Sequence, residues 1–101
     1  MVNTSMDKLL AKRGMSLSDF ALFLVRQIAA LAVDPHGYFE MKYIARIRNA
    51  SSDQEINDVL EQLVQWVAGS SLSDAERARL DRELDQHGLP SVTDLIRAYT
   101  L

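Results

Sequence analysis

Hydrophobic residues recur along most of the chain at intervals of three and four positions, the spacing that places them on one face of an α-helix. This spacing predicts six helical segments, at residues 5–13, 17–33, 38–49, 53–68, 74–86 and 92–100. The one β-rich run, residues 41–47, alternates imperfectly, and its Tyr43–Ile47 spacing suits a helix equally well. No glycine-type hairpin turn lies beside it, so we expect an all-α fold.

Serine, threonine and acidic residues mark the starts of these segments. A hydroxyl followed three positions later by a carboxylate can satisfy the free N–H groups of a first helical turn. Glycines mark the stops, at Gly14, Gly37, Gly69 and Gly88. The start pattern occurs five times, at Thr4/Asp7, Ser16/Asp19, Ser52/Glu55, Ser73/Glu76 and Ser91/Asp94.

The second predicted helix, residues 17–33, is apolar around nearly its whole circumference. Such a helix is buried on all sides, either by the other helices or by a second copy or partner protein. The helices at 53–68 and 92–100 have apolar faces that would pack against it, whereas 74–86 is charge-rich and peripheral. We therefore expect one domain, residues 1–101, forming a compact bundle of five to six short helices around helix 17–33.

Composition excludes several classes of protein. The 101 residues are 48% hydrophobic and 25% charged, which is ordinary for a globular chain. The absence of cysteine excludes disulfide frameworks, thiolate zinc sites and cysteine nucleophiles. The most apolar run is shorter than the ~20 residues that span a bilayer, and the first residues lack a signal-peptide pattern. We expect a cytoplasmic protein without a membrane partner.

Charge differs between the two halves of the sequence. Residues 1–51 carry seven Lys/Arg and four Asp/Glu, a net of +3, whereas residues 52–101 carry four Arg and ten Asp/Glu, a net of −6. The simpler interpretation is two solvated surfaces of opposite sign. The alternative is an electrostatic dipole that steers a binding partner.

Groups suited to catalysis are sparse. His36 and Glu40 have a helix-compatible metal spacing, but Gly37 lies between them and no third ligand is suggested. His87 sits at a predicted helix end, where it would favour the negative end of the helix dipole. The sequence has no phosphate-binding glycine loop and no nucleophile motif. We expect no enzyme activity, no cofactor, no metal and no small-molecule ligand.

The third predicted helix mixes aromatic and basic residues. The apolar helix 17–33, the charge difference between the two halves and the lack of catalytic groups favour a protein–protein interaction module of the adaptor, inhibitor or immunity, or regulatory-subunit type. The mixture of aromatic and basic residues makes the third helix the candidate binding surface. The partner would be another protein, or a second copy in a homodimer. Trp66 could instead pack in the core with its N–H at the edge. The candidate partner-binding residues are Tyr38, Phe39, Lys42, Tyr43, Arg46 and Trp66.

A nucleic-acid-binding regulator is the alternative function. The end of the chain resembles the two helices of ribbon–helix–helix repressors, in Leu80, Leu84, Gly88, Ser91, Leu95, Ile96 and Arg97. The resemblance implies a dimer that reads DNA with a β-ribbon before the first of these helices. Residues 68–73 depart from the family because they contain no alternating basic strand.

A basic helix surface offers a second route to nucleic acid. Lys42, Arg46 and Asn49 lie along one side of the third helix, beside Tyr43. Three or four phosphate contacts would give weak, salt-dependent binding. The acidic pI of about 5.2 argues against it, because nucleic-acid-binding domains are usually basic.

Overall fold

The computed structural model describes residues 10–31, 37–69 and 72–100, and every regular element in these ranges is helical. The all-α prediction is confirmed, and the ambiguous run 41–47 lies within a helix. Residues 10–12 form the end of a helical turn, and the predicted residues 5–9 and 32–33 lie outside the described residues. The helices are α1 (Leu17–Leu31), α2 (Tyr38–Arg48), α3 (Asp53–Ala68), α4 (Asp74–Gln86) and α5 (Val92–Thr100).

Four of the five predicted helix starts have the expected side-chain caps, and the fifth, Thr4/Asp7, lies outside the described residues. The hydroxyls of Ser16, Ser52, Ser73 and Ser91 accept hydrogen bonds from the N–H groups three residues later, at 3.1, 3.4, 3.2 and 3.1 Å. Ser73 forms a full capping box, since Glu76 accepts in return from the Ser73 N–H. These caps position the first turns of α1, α3, α4 and α5.

Two first-turn glutamates accept hydrogen bonds from a serine that lies just ahead of their helix. Glu55 accepts from the Ser51 N–H at 2.9 Å and from the Ser51 hydroxyl at 3.0 Å, and these bonds lower the pKa of Glu55. The Ser73 backbone N–H lowers the pKa of Glu76, and the Ser73 hydroxyl and the Arg79 cation act in the same direction. Both carboxylates are therefore stabilised in the ionised form that suits a helix N-terminus.

Gly88 ends α4 and turns the chain into α5. Its φ of +67° lies in the left-handed region that favours glycine. The Gly88 N–H donates to the Asp85 carbonyl and the Leu89 N–H to the Leu84 carbonyl, both at 2.9 Å. This pair of bonds is a Schellman motif, and the same arrangement closes the turn around Gly14. The predicted stops at both glycines are confirmed.

α1 is the central element, packed against α2, α3 and α4. Its burial is not uniform, since Arg26 and Ala30 are exposed and Phe23 is half-buried. The other helices of the same chain therefore leave the outward edge of this helix uncovered, and its burial by a second copy or partner stays a prediction. No helix within the described ranges is both long and apolar enough to cross a membrane. The buried residues of α1 are Leu17, Phe20, Ala21, Leu24, Val25 and Ile28.

Apolar packing and two hydrogen bonds hold α5 against the bundle. The sequence predicts that this helix packs on α1. In the structure it packs mainly on α3 and to a lesser extent on α4. The Tyr99 hydroxyl donates to Asn57 Oδ1 of α3 at 2.8 Å. Asp81 of α4 accepts from the Val92 N–H at 2.6 Å, at the first residue of α5. These bonds fix the position of α5 relative to both neighbours.

Candidate functional site

α2 lies at the edge of the bundle, packed against α1 and α3. Ile47 is its one buried residue. The helix begins after Gly37, whose φ of +68° provides a left-handed turn without a side-chain cap. It ends at Asn49, with Arg46 and Arg48 in the last turn, where cations complement the helix dipole. Most side chains of α2 are thus available to form surface.

Three aromatic rings form a continuous row between α2 and α3. The Phe39 ring lies 4.8 Å from the Tyr43 ring and 5.2 Å from the Trp66 ring, measured between centroids. Both pairs are tilted, at interplanar angles of 53° and 44°. These distances and angles lie in the range in which aromatic side chains attract one another. The three rings are therefore already in contact within the single chain.

Two cations border this row. Lys42 Nζ lies 5.6 Å and Arg46 Cζ 5.8 Å from the centroid of the Tyr43 ring, within cation–π range. The Arg46 guanidinium also donates a hydrogen bond to Gln62 Oε1 of α3, which fixes its position across the helix pair. We call the residues Tyr38, Phe39, Lys42, Tyr43, Arg46 and Trp66 the aromatic–basic surface.

The structure brings together five of the six residues singled out in the sequence. Tyr38 lies one helical turn before Lys42 on the same flank of α2 and is 71% exposed. The other three aromatic residues, Phe39, Tyr43 and Trp66, are half-buried. Trp66 packs against the hydrophobic core while part of its ring stays exposed, which agrees with the alternative of core packing at the edge. Partner binding by these residues stays a prediction.

The two neighbouring helices α2 and α3 carry net charges of opposite sign. α2 has three basic residues and one acidic residue, a net of +2. α3 has four acidic and no basic residues, a net of −4. Asp58 and Glu61 of α3 are exposed. The aromatic–basic surface is thus a basic strip beside an acidic helix, a pattern that can orient a charged partner.

Of the residues considered for catalysis or metal binding, those that the structure describes do not form a cluster. His36 lies outside the described residues. His87 Nδ1 lies 2.9 Å from the Glu83 carbonyl oxygen, as expected for a histidine at a helix C-terminus, and its ring packs 4.8 Å from Phe23. Asp81 accepts a hydrogen bond from the Val92 N–H at the start of α5, in addition to the Ser91 cap. Within residues 10–31, 37–69 and 72–100, no group of three His, Asp or Glu side chains could hold a metal ion.

The DNA-reading ribbon implied by the repressor resemblance is not formed by the described residues before α4. Residues up to Ala68 belong to α3, and residues 72–73 lead directly into α4 without strand structure. A two-chain ribbon needs several extended residues from each copy, and α3 occupies that position in the sequence. The resemblance is limited to a helix–glycine–serine–helix pattern.

Sequence reasoning missed the contacts that join the helices. Asn57 was not singled out, although it interrupts the apolar pattern of α3 directly after Ile56 and is 3% exposed. A polar residue at such a position signals a buried hydrogen bond, here with Tyr99. The bond between Arg46 and Gln62 had no sequence signal, because the two residues lie sixteen positions apart on different helices.

No known protein family, curated protein or solved structure matches this chain.

Proposed function

We propose that this chain is a non-enzymatic protein-interaction module that binds another protein through the aromatic–basic surface. The observation that carries the proposal is the row of three aromatic rings with Lys42 and Arg46 placed over Tyr43. Aromatic residues and arginine are the side chains that contribute most to protein interfaces. The cysteine-free sequence suits a reducing compartment, and we place the protein in the cytoplasm.

The fixed arrangement of the rings supports binding. Phe39 and Trp66 are already half-buried and in contact, so a partner would order few additional side-chain torsions. Lower ordering cost leaves more of the contact energy as affinity. Tyr38, which is 71% exposed, extends the apolar area towards solvent. The surface thus combines a rigid centre with an accessible edge.

The cations define the chemistry of the partner. Lys42 and Arg46 border the rings on one side, so a matching segment would present a carboxylate next to an apolar or aromatic side chain. The acidic α3 adjoins the same rings through Trp66 and would repel a uniformly acidic segment. We therefore propose a partner segment in which acidic residues are confined to one face.

A protein partner is favoured over nucleic acid by charge. The chain has a net charge of −3, and the aromatic–basic surface contributes only two cations beside an acidic helix. Two phosphate contacts would provide weak binding that salt removes readily. Single-stranded nucleic acid can nevertheless stack on aromatic rings, so it belongs among the probes of the test.

Selection from a random peptide library displayed on phage, with the purified chain as bait, tests the proposal. We expect enrichment of peptides that pair Asp or Glu with large apolar residues. Their binding should fall at least about tenfold in Tyr43→Ala/Arg46→Ala, which removes an anchor ring and a cation. Circular dichroism establishes that this variant retains its helices.

Arg82→Ala/Arg97→Ala is the control, because both residues are exposed and lie outside the aromatic–basic surface. It should bind the selected peptides like the unaltered chain. The proposal is overturned if no peptide is enriched over a bait-free selection, or if both variants bind equally well. Binding of a single-stranded oligonucleotide that depends on Tyr43 and Arg46, without peptide binding, would instead establish the nucleic-acid alternative.

A further inference from the structure

The flank of α2 opposite the aromatic–basic surface lines an open, mainly apolar groove of about 510 Å³. Met41, Ile44 and Ala45 supply its apolar part, and Glu40 and Arg48 lie towards its two ends. Met41 is 66% exposed, which is unusual for so large an apolar side chain. This face is independent of the aromatic–basic surface, since the two share no residue.

The charges along the groove are arranged symmetrically. Glu40, Ile44 and Arg48 follow one another at intervals of four residues, so they form a single ridge on the helix. At about 1.5 Å rise per residue, the acid and the base each lie about 6 Å from Ile44 along the axis, in opposite directions. If two copies of this ridge lie antiparallel, the acid of each copy faces the base of the other.

We propose that this face binds a second copy of the chain through antiparallel packing of the two α2 helices. The two-fold axis passes beside Ile44, so that Glu40 of each copy faces Arg48 of the other. The second ridge, Met41 and Ala45, borders the first and provides the groove into which the opposing ridge fits. A two-fold interface uses the same surface on both copies, as this reversed pattern requires.

The side chains at the centre suit close helix packing. Ala45 is small and exposed, which allows the two helix backbones to approach. Met41 is unbranched and flexible, so it can fill the irregular space beside a symmetry axis. An unrelated partner would need this same order of acid, apolar residue and base by coincidence, whereas a second copy supplies it automatically.

Dimerisation on this flank leaves the aromatic–basic surface of each copy uncovered. The dimer would display two such surfaces, and a partner with two binding segments would gain avidity from the linkage. The dimer does not depend on the proposed protein-binding function, because its residues and its test are separate.

Light scattering during size-exclusion chromatography, across a dilution series, tests the dimer. We expect a mass of twice the 11.4 kDa of one chain at high concentration. Arg48→Glu and Glu40→Arg each place like charges opposite one another at two symmetric positions. Each should raise the dimer dissociation constant by about tenfold or more. The combined variant Glu40→Arg/Arg48→Glu restores opposite charges and should restore the dimer.

Two further variants separate the interface from general effects. Met41→Gln removes exposed apolar contact without changing charge and should also weaken the dimer. Arg82→Glu makes the same charge change as Arg48→Glu on exposed α4 and should leave the mass unchanged. A monomer at every concentration overturns the proposal. A dimer that Arg48→Glu leaves intact, or that the combined variant fails to restore, overturns it as well.

Discussion

α3 and α2 are neighbouring helices that use their side chains in opposite ways. α3 buries seven of its sixteen residues and packs against α1, α2 and α5. α2 buries only Ile47 of its eleven and leaves Tyr38 and Met41 as the two large apolar side chains most exposed to solvent among the described residues. The stability of the fold therefore depends on α3, whereas α2 has side chains available for binding.

The two helices also begin differently. α3 starts with the Ser52 hydroxyl on the Glu55 N–H and with Glu55 held by Ser51. α2 starts after a left-handed glycine with no side-chain hydrogen bond at its cap. A capped first turn is more strongly fixed than an uncapped one. The comparison shows that the core helix α3 is fixed at its start by side-chain hydrogen bonds, whereas the edge helix α2 starts from a glycine turn.

Truncation of one side chain in each helix should show most clearly how differently α3 and α2 contribute to the free energy of unfolding. Leu60 of α3 is fully buried, so Leu60→Ala should lower the free energy of unfolding by about 2–5 kcal/mol. Met41→Ala in α2 removes a side chain that is 66% exposed and, at protein concentrations too low for dimerisation, should change it by less than about 0.5 kcal/mol. Urea unfolding followed by circular dichroism measures both. Equal losses would contradict the assignment of stability to α3.

The buried hydrogen bond between α3 and α5 should have the next largest effect. Asn57→Ala removes the acceptor of the Tyr99 hydroxyl and should cost about 1–3 kcal/mol. Tyr99→Phe removes the donor and should cost about 0.5–1.5 kcal/mol. The double variant should lose less than the sum, because both changes remove one bond. Additive losses would show that the two groups do not interact in solution.

Two left-handed glycines allow a matched comparison of the turn between α4 and α5 with the start of α2. Gly88→Ala and Gly37→Ala each force a side chain into φ near +67°, which costs about 1–2 kcal/mol. A Cβ on Gly88 would also lie 3.0 Å from the Arg13 guanidinium, whereas a Cβ on Gly37 would meet nothing within 4 Å.

Thermal unfolding should therefore show a larger loss for Gly88→Ala than for Gly37→Ala. The excess should be small, because the Arg13 side chain can move aside. Adding Arg13→Ala to each variant should remove the difference between them. A persistent difference would mean that the Arg13 contact does not cause it.

The glutamate at the start of α3 should give the smallest effect, visible as a pH dependence. Hydrogen bonds from Ser51 lower the pKa of Glu55 in the folded protein. Its contribution to stability is therefore present above the pKa of the unfolded chain, about 4.3, and is lost as the pH falls through the folded value. Glu55→Gln should lower the melting temperature slightly at neutral pH, and this difference should vanish in acid.

Asp85→Asn is the control for that pH series, since it removes one exposed charge of the same sign on α4. At neutral pH it should not lower the melting temperature as Glu55→Gln does, because Asp85 lies near the C-terminus of α4, where a negative charge is not favoured. A Glu55→Gln difference that stays constant down to the lowest pH would contradict the role given to the Ser51 bonds.

Local signals in the sequence were sufficient for the helices. The serine caps and glycine stops act within a few residues, so their pattern predicts α3, α4 and α5 with the bounds that the structure has. The buried apolar face of α3 follows from the same periodicity, apart from Asn57. The partial exposure of α1 could not be predicted, because periodicity does not show which neighbours cover a helix.

The candidate site was predictable as a set of residues but not as an arrangement. Phe39 and Tyr43 lie four positions apart, so helical spacing alone places their rings together. The contact of Phe39 with Trp66 depends on how α2 packs against α3, which one chain pattern does not define. The groove beside Met41 was missed for the same reason, since an exposed apolar residue resembles a core residue in sequence.

Trp66 is the chain's single tryptophan, and it lies within the aromatic–basic surface, so its fluorescence tests the central claim most directly. A tryptophan-free peptide from the display selection should change the Trp66 emission saturably on titration. Lys42→Ala/Arg46→Ala should weaken this response, whereas Arg82→Ala/Arg97→Ala, which loses the same charge elsewhere, should retain it. Peptide binding that leaves the Trp66 emission unchanged, or that both variants weaken equally, would contradict a protein-binding function at this surface.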